Sequence, residues 1–299
     1  MSRILIIGSA NADLTVYADR MPLSGETVIG HDFSLNTGGK GANQAAAVAK
    51  LGGNVKFIGA VGNDANGKKI IEDLEHHGVE FDGISVEKSP TGTATIIVIN
   101  SENSIIINEG ANACVTPQLI EEKADLIKQA DYLIMQLEIP VETVIRAAEI
   151  AKESNTAVIL NPAPCKALPD CLFELTDIII PNEHEASGLT GICGNSDNEL
   201  KQKIEFLRKK GVKTVIITLG EKGSIYNISD EIFTCPAEKV KAVDTTCAGD
   251  SFIGSLCHKL SEGFELPESI KYATKVAAIT VSRMGALASI PFASEIKDI

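Results

Sequence analysis

Asp244-Thr245-Thr246-Cys247-Ala248-Gly249-Asp250 sets two carboxylates around a turn of small residues, immediately ahead of an amphipathic stretch. From Ser251 onward, Phe252, Ile253, Leu256 and Leu260 fall on one helical face, and Gly263 is placed to end the helix. Ala248, Gly249 and Asp250 then present backbone NH groups at a helix N-terminus. Unpaired donors and the positive end of the macrodipole stabilise negative charge there, as on a phosphate. A fixed carboxylate in that place repels a bound anion, yet it suits a base that takes a proton from a hydroxyl attacking phosphorus. For a lone Gly-Asp, an ordinary N-cap aspartate is the simpler explanation. The second carboxylate and the rest of the chain favour chemistry.

Other polar residues collect just past apolar runs. Asn11 and Asp13 follow Ile4 to Ile7, Asn182 and Glu185 follow Ile178 to Ile180, and Thr218, Gly220 and Gly223 follow Val215 to Ile217. In an open parallel sheet ligands bind outside the carboxyl ends of the strands, so these positions point to one cleft. Asn182 and Glu185 stand three apart after Pro181. They suit the water shell of a magnesium ion, which takes few protein ligands, although helix capping by Asn182 explains the pair as well. Gly38-Gly39-Lys40-Gly41-Ala42-Asn43-Gln44 is a glycine-rich entry into an alanine-rich helix. It is not a phosphate loop, because Lys40 is followed by Gly41 rather than Ser or Thr, and Gly8 to Asp13 lacks the later glycines of a dinucleotide fingerprint.

The elements that must position these groups follow from periodicity. Ile4 to Ile7, Val55 to Ile58, Leu133 to Met135, Val158 to Leu160, Ile178 to Ile180 and Val215 to Ile217 read as strands buried on both faces. Helical stretches separate them, among them Ala42 to Leu51, closed by Gly52-Gly53, and Lys68 to His77, closed by Gly78. The alternation predicts an α/β fold of three layers, with a mainly parallel sheet between helices. Leu14 to Tyr17 with Thr27 to Phe33, and Ala94 to Ile99 with Ser104 to Ile107, lack intervening helices, and Asn100 to Asn103 suits a four-residue hairpin loop. They predict a small separate sheet that covers a cleft or pairs with another subunit. The expected organisation is one domain over residues 1–299 with a lid from about 12–36 and 93–109.

Composition narrows the partners. A chain of 299 residues with net charge -13 lacks the clustered cations that nucleic acid or an anionic membrane requires. No run approaches the roughly 18 apolar residues of a membrane span, and the start is too quickly interrupted for a secretory signal. Seven scattered cysteines, without a Cys-x-x-Cys pair, suit reduced thiols in the cytoplasm. Cys247 lies inside the anion turn, where a packed small side chain is expected rather than an activated thiol.

Taken together, Gly38-Gly39-Lys40-Gly41-Ala42-Asn43 and Asp244-Thr245-Thr246-Cys247-Ala248-Gly249-Asp250 resemble the two signatures of the PfkB carbohydrate kinases. Asn11-Ala12-Asp13, Asn108 to Asn112, Asn161 to Pro164 and Pro181 to Glu185 look like the ribokinase branch of that family. Cys247 departs from the alanine or glycine usual at its position, which bears on the fine geometry of the anion turn. The resemblance implies a ribokinase-like fold and ATP-dependent phosphorylation of the 5-hydroxyl of D-ribose. It implies Asp250 as base beside the Ala248 and Gly249 amides, and Asn11, Asp13, Gly39, Lys40, Gly41, Asn43 and Glu138 around the sugar. Asn182, Thr218, Gly220, Glu221, Lys222, Gly223 and Gly249 would hold ATP, with Glu185 acting through magnesium. A homodimer through the lid is also implied. Other acceptors, namely 2-deoxyribose, another sugar or a nucleoside, remain open on the same scaffold. A sugar-binding regulator without transfer is disfavoured, because binding alone needs no base.

No basic residue from Asp244 to Asp250 neutralises the Asp244 carboxylate. Orphan carbonyls where the helix from near Pro267 ends, the Thr246 backbone and this carboxylate would form an oxygen cage for a hard cation; capping of the turn by Asp244 is the plainer alternative. By the same resemblance the ion is potassium, with Asp244, Thr246, Thr280, Arg283, Gly285 and Ser289 as ligands.

Overall fold

A computed structural model describes residues 3–100 and 102–296. Its strands in chain order are β1 (Arg3–Ile7), β2 (Asn11–Tyr17), β3 (Asp32–Gly38), β4 (Asn54–Gly62), β5 (Glu80–Glu87), β6 (Gly92–Ile99), β7 (Glu102–Asn108), β8 (Tyr132–Met135), β9 (Ala157–Leu160), β10 (Ile178–Ile179), β11 (Thr214–Thr218), β12 (Ser224–Ile228) and β13 (Glu231–Cys235). The helices are α1 (Lys40–Lys50), α2 (Ala65–His76), α3 (Pro117–Glu122), α4 (Ala124–Lys128), α5 (Val141–Glu153), α6 (Asp170–Glu174), α7 (Glu183–Thr190), α8 (Asp197–Lys209), α9 (Ala248–Ser261) and α10 (Leu266–Val281).

Nine strands form one sheet in the order β13-β12-β11-β10-β9-β8-β1-β4-β5. All neighbours pair in parallel except β11 with β12 and β12 with β13. Successive side chains of a strand point to opposite faces, and the core divides accordingly. Leu5, Ile7, Leu133, Met135, Val158 and Leu160 join α5 and α8 in one cluster. Ile4, Ile6, Ile134 and Ile159 join α1, α2, α9 and α10 in the other. Each central strand is therefore apolar throughout, and the three-layer expectation holds.

The second sheet has four strands in the order β3-β2-β6-β7. Its β3 lies later than the stretch Thr27 to Phe33 read as a strand from sequence. β2 pairs antiparallel over its whole length, from Asn11 opposite Gly38 to Tyr17 opposite Asp32. Residues 27–31 fall outside that register, and the alternation from Asp32 to Thr37 supplies the partner. Pairing of β6 with β7 continues to Ile99 opposite Glu102, so the connection is shorter than the four-residue loop expected; Ser101 lies outside the described residues. β5 and the β12–β13 hairpin were not anticipated. In that hairpin Ser229 and Asp230 form a two-residue turn between two runs rich in β-branched and aromatic residues, with Ser229 at φ 51°.

Two local features set up the site. Gly39 caps α1 at φ 89°, a conformation that L side chains rarely adopt, and a Cβ there would lie 2.8 Å from the backbone of Ala10 and Asn11. Gly254 lets α9 come against α1, since a Cβ would lie 2.7 Å from that of Ala47. The N-terminal turns of both helices consequently meet at the C-terminal edge of the large sheet.

Candidate active site

Asp250 sits in the first turn of α9, buried, with both carboxylate oxygens engaged. Oδ2 accepts from Asn43 Nδ2 and Oδ1 from Gln44 Nε2, each at 3.0 Å, so α1 holds the aspartate from one side. Asn43 Oδ1 is buried without a partner and remains available to a hydroxyl. Ser251 NH, donating to Cys247 O at 2.9 Å, makes the first bond of the helix. The Ala248 NH turns back to Thr245 O at 3.3 Å. The turn thus offers two free amides, Gly249 and Asp250, where three were expected. Cys247 takes φ 67° at the N-cap and packs into the core. Burial, then the Asp250 charge, pushes its thiol pKa well up, as expected for a packing residue.

Asn11 and Asp13 prove to begin β2 rather than lie in a loop after β1. Asn112 Nδ2 donates to Asn11 Oδ1 at 2.7 Å, while Asn112 Oδ1 accepts from the Ala10 NH at 2.9 Å. Glu138 Oε2 accepts from Ser9 Oγ at 2.5 Å and from the Lys40 NH at 3.2 Å. Burial, then the charges of Glu138 and Asp250, raises the Asp13 pKa to about 7. Burial works against the Lys40 ammonium, but Asp250, Glu138 and Glu185 outweigh it and hold its pKa above the ordinary lysine value. One lysine thus sits among several carboxylates, with Gly39 and Gly41 bringing the backbone close.

A cavity of about 210 Å³ is lined among others by Lys40, Asn182, Glu185, Thr218, Gly249 and Asp250, whereas Asn11, Asp13, Gly39, Gly41, Asn43 and Glu138 are not part of its lining. Asn182 and Glu185 form a reciprocal cap: Asn182 Oδ1 accepts from the Glu185 NH and Glu185 Oε2 from the Asn182 NH, both at 2.8 Å. The capping explanation is therefore realised. Glu185 nonetheless lines the cavity, and burial raises its pKa against the opposing effects of the Asn182 NH and Lys40. Among the described residues no group of three or more His, Cys, Asp or Glu side chains is placed to hold a metal, so a magnesium ion here would rely on phosphate and water, as magnesium commonly does. Thr218 bridges to Asn182, and Gly220, Glu221 and Lys222 make a short 3-10 turn that ends at Gly223 with φ 96°. Thr218 lines the cavity, and Gly220, Glu221, Lys222 and Gly223 do not.

The proposed cation ligands meet only in part. Asp244 Oδ1 accepts from the Thr246 NH at 2.9 Å and Oδ2 from the Gly285 NH at 3.0 Å, joining the anion turn to the loop after α10. Two carbonyls at that helix end, those of Thr280 and Val281, are already engaged, while no donor reaches those of Arg283 and Gly285 among the described residues. Thr280 O accepts from Arg283 NH, and Val281 O from both Val243 and Asp244 NH. There the helix closes on itself and on the segment between β13 and α9, so Thr280 and Val281 offer only second lone pairs. Arg283 sends its guanidinium to Glu295 at 2.8 Å, and Ser289 Oγ donates to Ala286 O at 2.7 Å.

Gln136 and Lys50 escaped the sequence reading, since each is a polar residue within an apolar run, while Gln44 and Asn112 were quoted only within motifs and given no role. Lys50 Nζ is buried and donates to the carbonyls of Leu287 and Ile290 at 2.6 and 2.8 Å, tying α1 to the Ser289 loop.

The pfkB family carbohydrate kinase profile matches residues 1–293. The chain belongs to this family. It is an ATP-dependent sugar kinase. It is 37% identical to the ribokinase of Staphylococcus aureus over 303 residues, covering 100% of this chain and 99% of that protein. It is 40% identical to the bifunctional ribokinase/ribose-5-phosphate isomerase A of Fructilactobacillus sanfranciscensis, covering 97% of this chain but spanning only 55% of that longer protein. It is also 38% identical to the deoxyribokinase of Salmonella typhimurium, covering 96% of this chain and 95% of that protein. The solved structure of Arabidopsis thaliana ribokinase complexed with ribose and ATP superposes with a TM-score of 0.93 at 35% identity, covering 98% of this chain and 96% of that one.

Proposed function

We propose that the chain is a ribokinase, transferring the γ-phosphoryl group of ATP to the 5-hydroxyl of D-ribose and yielding D-ribose 5-phosphate. The observation that carries this reading is the buried Asp250 carboxylate at the N-terminus of α9, next to two free amides and to the orphan Asn43 Oδ1. In the proposed reaction the sugar lies over Asn11, Asp13, Gly39, Lys40, Gly41, Asn43 and Glu138. Asp250 takes the proton of the attacking hydroxyl, and the Gly249 and Asp250 amides stabilise the charge that builds on the transferred group. Asn182, Thr218 and the turn Gly220 to Gly223 receive the nucleotide. Magnesium bound to the ATP phosphates would be held through water by Glu185 and would neutralise phosphate charge.

Three finer elements belong to the same reading. A potassium ion would sit between Asp244, the Thr246 backbone and the loop from Arg283 to Ser289, where Asp244 already joins both segments. The small sheet would serve as a lid, with residues 1–299 otherwise one domain. It would also be the surface of a homodimer: Ile105 and Ile107 on one face of β7 and Ile106 on the other are all exposed, so covering a cleft leaves apolar area for a second copy. A cytoplasmic location fits seven free cysteines, and no described helix is long and apolar enough to cross a membrane.

The similarity to a deoxyribokinase keeps 2-deoxyribose as the second acceptor. A site that hydrogen-bonds the 2-hydroxyl rejects the analogue lacking it, by up to about 10⁴- to 10⁵-fold when water is excluded. Coupled ADP-release measurements across ribose, 2-deoxyribose, fructose and adenosine test the assignment. The largest kcat/KM is expected with ribose; equal values for ribose and 2-deoxyribose would sink the acceptor claim.

A further inference from the structure

Gln44 is fully buried and does not line the cavity, yet its Nε2 supplies one of the two hydrogen bonds to Asp250. Its amide is fixed from two sides. Gln136 Nε2 donates to Gln44 Oε1 at 2.6 Å, and Asn161 Oδ1 accepts from Gln44 Nε2 at 3.4 Å. Asn161 is locked in turn, because its Nδ2 donates to Ile180 O at 3.1 Å. Reversing the Gln44 amide would set its oxygen against the Asp250 carboxylate and the Asn161 oxygen, and its NH₂ against that of Gln136. All three contacts would then join like with like. Gln136 makes this single side-chain hydrogen bond and leaves its own Oε1 buried with no partner. A buried orphan acceptor costs about 1–3 kcal/mol, so the polarity of Gln136 is unexplained unless orienting Gln44 is what it does.

We propose that Gln44, oriented by Gln136 and Asn161, is a positioning residue for Asp250. It holds one carboxylate oxygen in a fixed rotamer and donates to the ionised form, while Asn43 holds the other and reaches the sugar. The inference rests on Asp250 acting as the base. Three amides drawn from α1, the segment after β8 and the segment after β9 would thereby set the direction of a carboxylate on α9. None of the three needs to touch either substrate for this.

A hydrogen bond to the ionised form of an acid favours that form, so losing it raises the pH at which the base becomes competent. A residue that only fills space would not move that pH. The test is the single-turnover rate of phosphoryl transfer against pH, at saturating ribose and ATP-magnesium, in the full chain and in Gln44→Met, Gln136→Met and the double variant. In Gln44→Met the acid limb should move up by about 1 pH unit, and the plateau rate should fall by up to about 10²-fold as the carboxylate loses its orientation. Gln136→Met should move the limb the same way but less, since Asn161 still holds Gln44. The double variant should match Gln44→Met in its limb while melting at a higher temperature, because it no longer buries an unpaired Gln136 NH₂. An unmoved limb in a folded Gln44→Met overturns the proposal; should that variant fail to fold, unmoved limbs in both Gln136→Met and the double variant do so. Asp250→Asn measured alongside separates the two levels. Retained turnover there removes Asp250 as the base, whereas an inactive Asp250→Asn with unmoved limbs elsewhere removes only the role of Gln44.

Discussion

Asn112 Nδ2 donates to Asn11 Oδ1 at 2.7 Å across 101 positions of sequence, so the oxygen of Asn11 is engaged and its NH₂ is the group left to offer a ligand. The same Asn112 accepts from the Ala10 NH, and it is 1% exposed. A sugar oxygen above Asn11 would therefore meet a donor and not an acceptor. In Asn112→Ala the Ala10 NH loses its buried partner and the Asn11 amide is free to reverse. Thermal unfolding should show a loss of about 1–3 kcal/mol, and the KM for ribose should rise by about tenfold or more, with a smaller change in kcat. An unchanged KM would show that the orientation of Asn11 does not matter to the sugar.

Asp13, a proposed sugar ligand, carries an electrostatic cost. Its pKa stands at about 7 instead of 3.8, mainly through burial and then through Glu138 and Asp250. Because the folded value exceeds the unfolded one, the stabilising contribution of the protonated carboxyl is complete below pH 3.8 and is lost as pH rises through about 7. Asp13→Asn removes that loss. Its melting temperature should exceed the parent's most at pH 8, with the difference shrinking steadily toward pH 4, while its ribose affinity falls. Calorimetric melts at several pH values check the sign: a gain that grows as pH falls contradicts it.

The same residues show what could be read without a structure. The central strands were legible because they are apolar on both faces, and the Asp250 turn because small residues precede a helix of clear period. β3 was misplaced because its boundary is fixed by register against β2, from Asn11 opposite Gly38, and not by its own composition. Gln136 was missed because it is one amide inside an apolar run, and Gln44 was given no role because only packing of α1 against α9 brings it to the carboxylate. The Val281 carbonyl at the end of α10 looked free because its partners, Val243 and Asp244, come from a segment far back in the chain.

Asp244 joins the anion turn to the loop after α10, and this gives the cation proposal a sharp outcome. At constant ionic strength turnover should rise with potassium and stay low with sodium or a bulky ammonium, because an ion in the cage would fix the loop that carries the Gly249 and Asp250 amides. Asp244→Asn should abolish that response. If Asp244 only caps the turn, the variant will instead lower turnover by one factor whatever the cation, and the parent will show no potassium dependence.

The central claim, that Asp250 removes the proton of a sugar hydroxyl during transfer from ATP, is tested most directly in Asp250→Asn. Asn43 has a spare amide oxygen to turn toward the new NH₂, so the fold and the sugar site should survive the change. The decisive measurement is the single-turnover rate of ribose phosphorylation at saturating ribose and ATP, with ribose affinity measured separately by calorimetry. The account predicts a rate lower by about 10²- to 10⁴-fold with ribose affinity largely kept. A near-normal rate in a variant that binds ribose normally would contradict it.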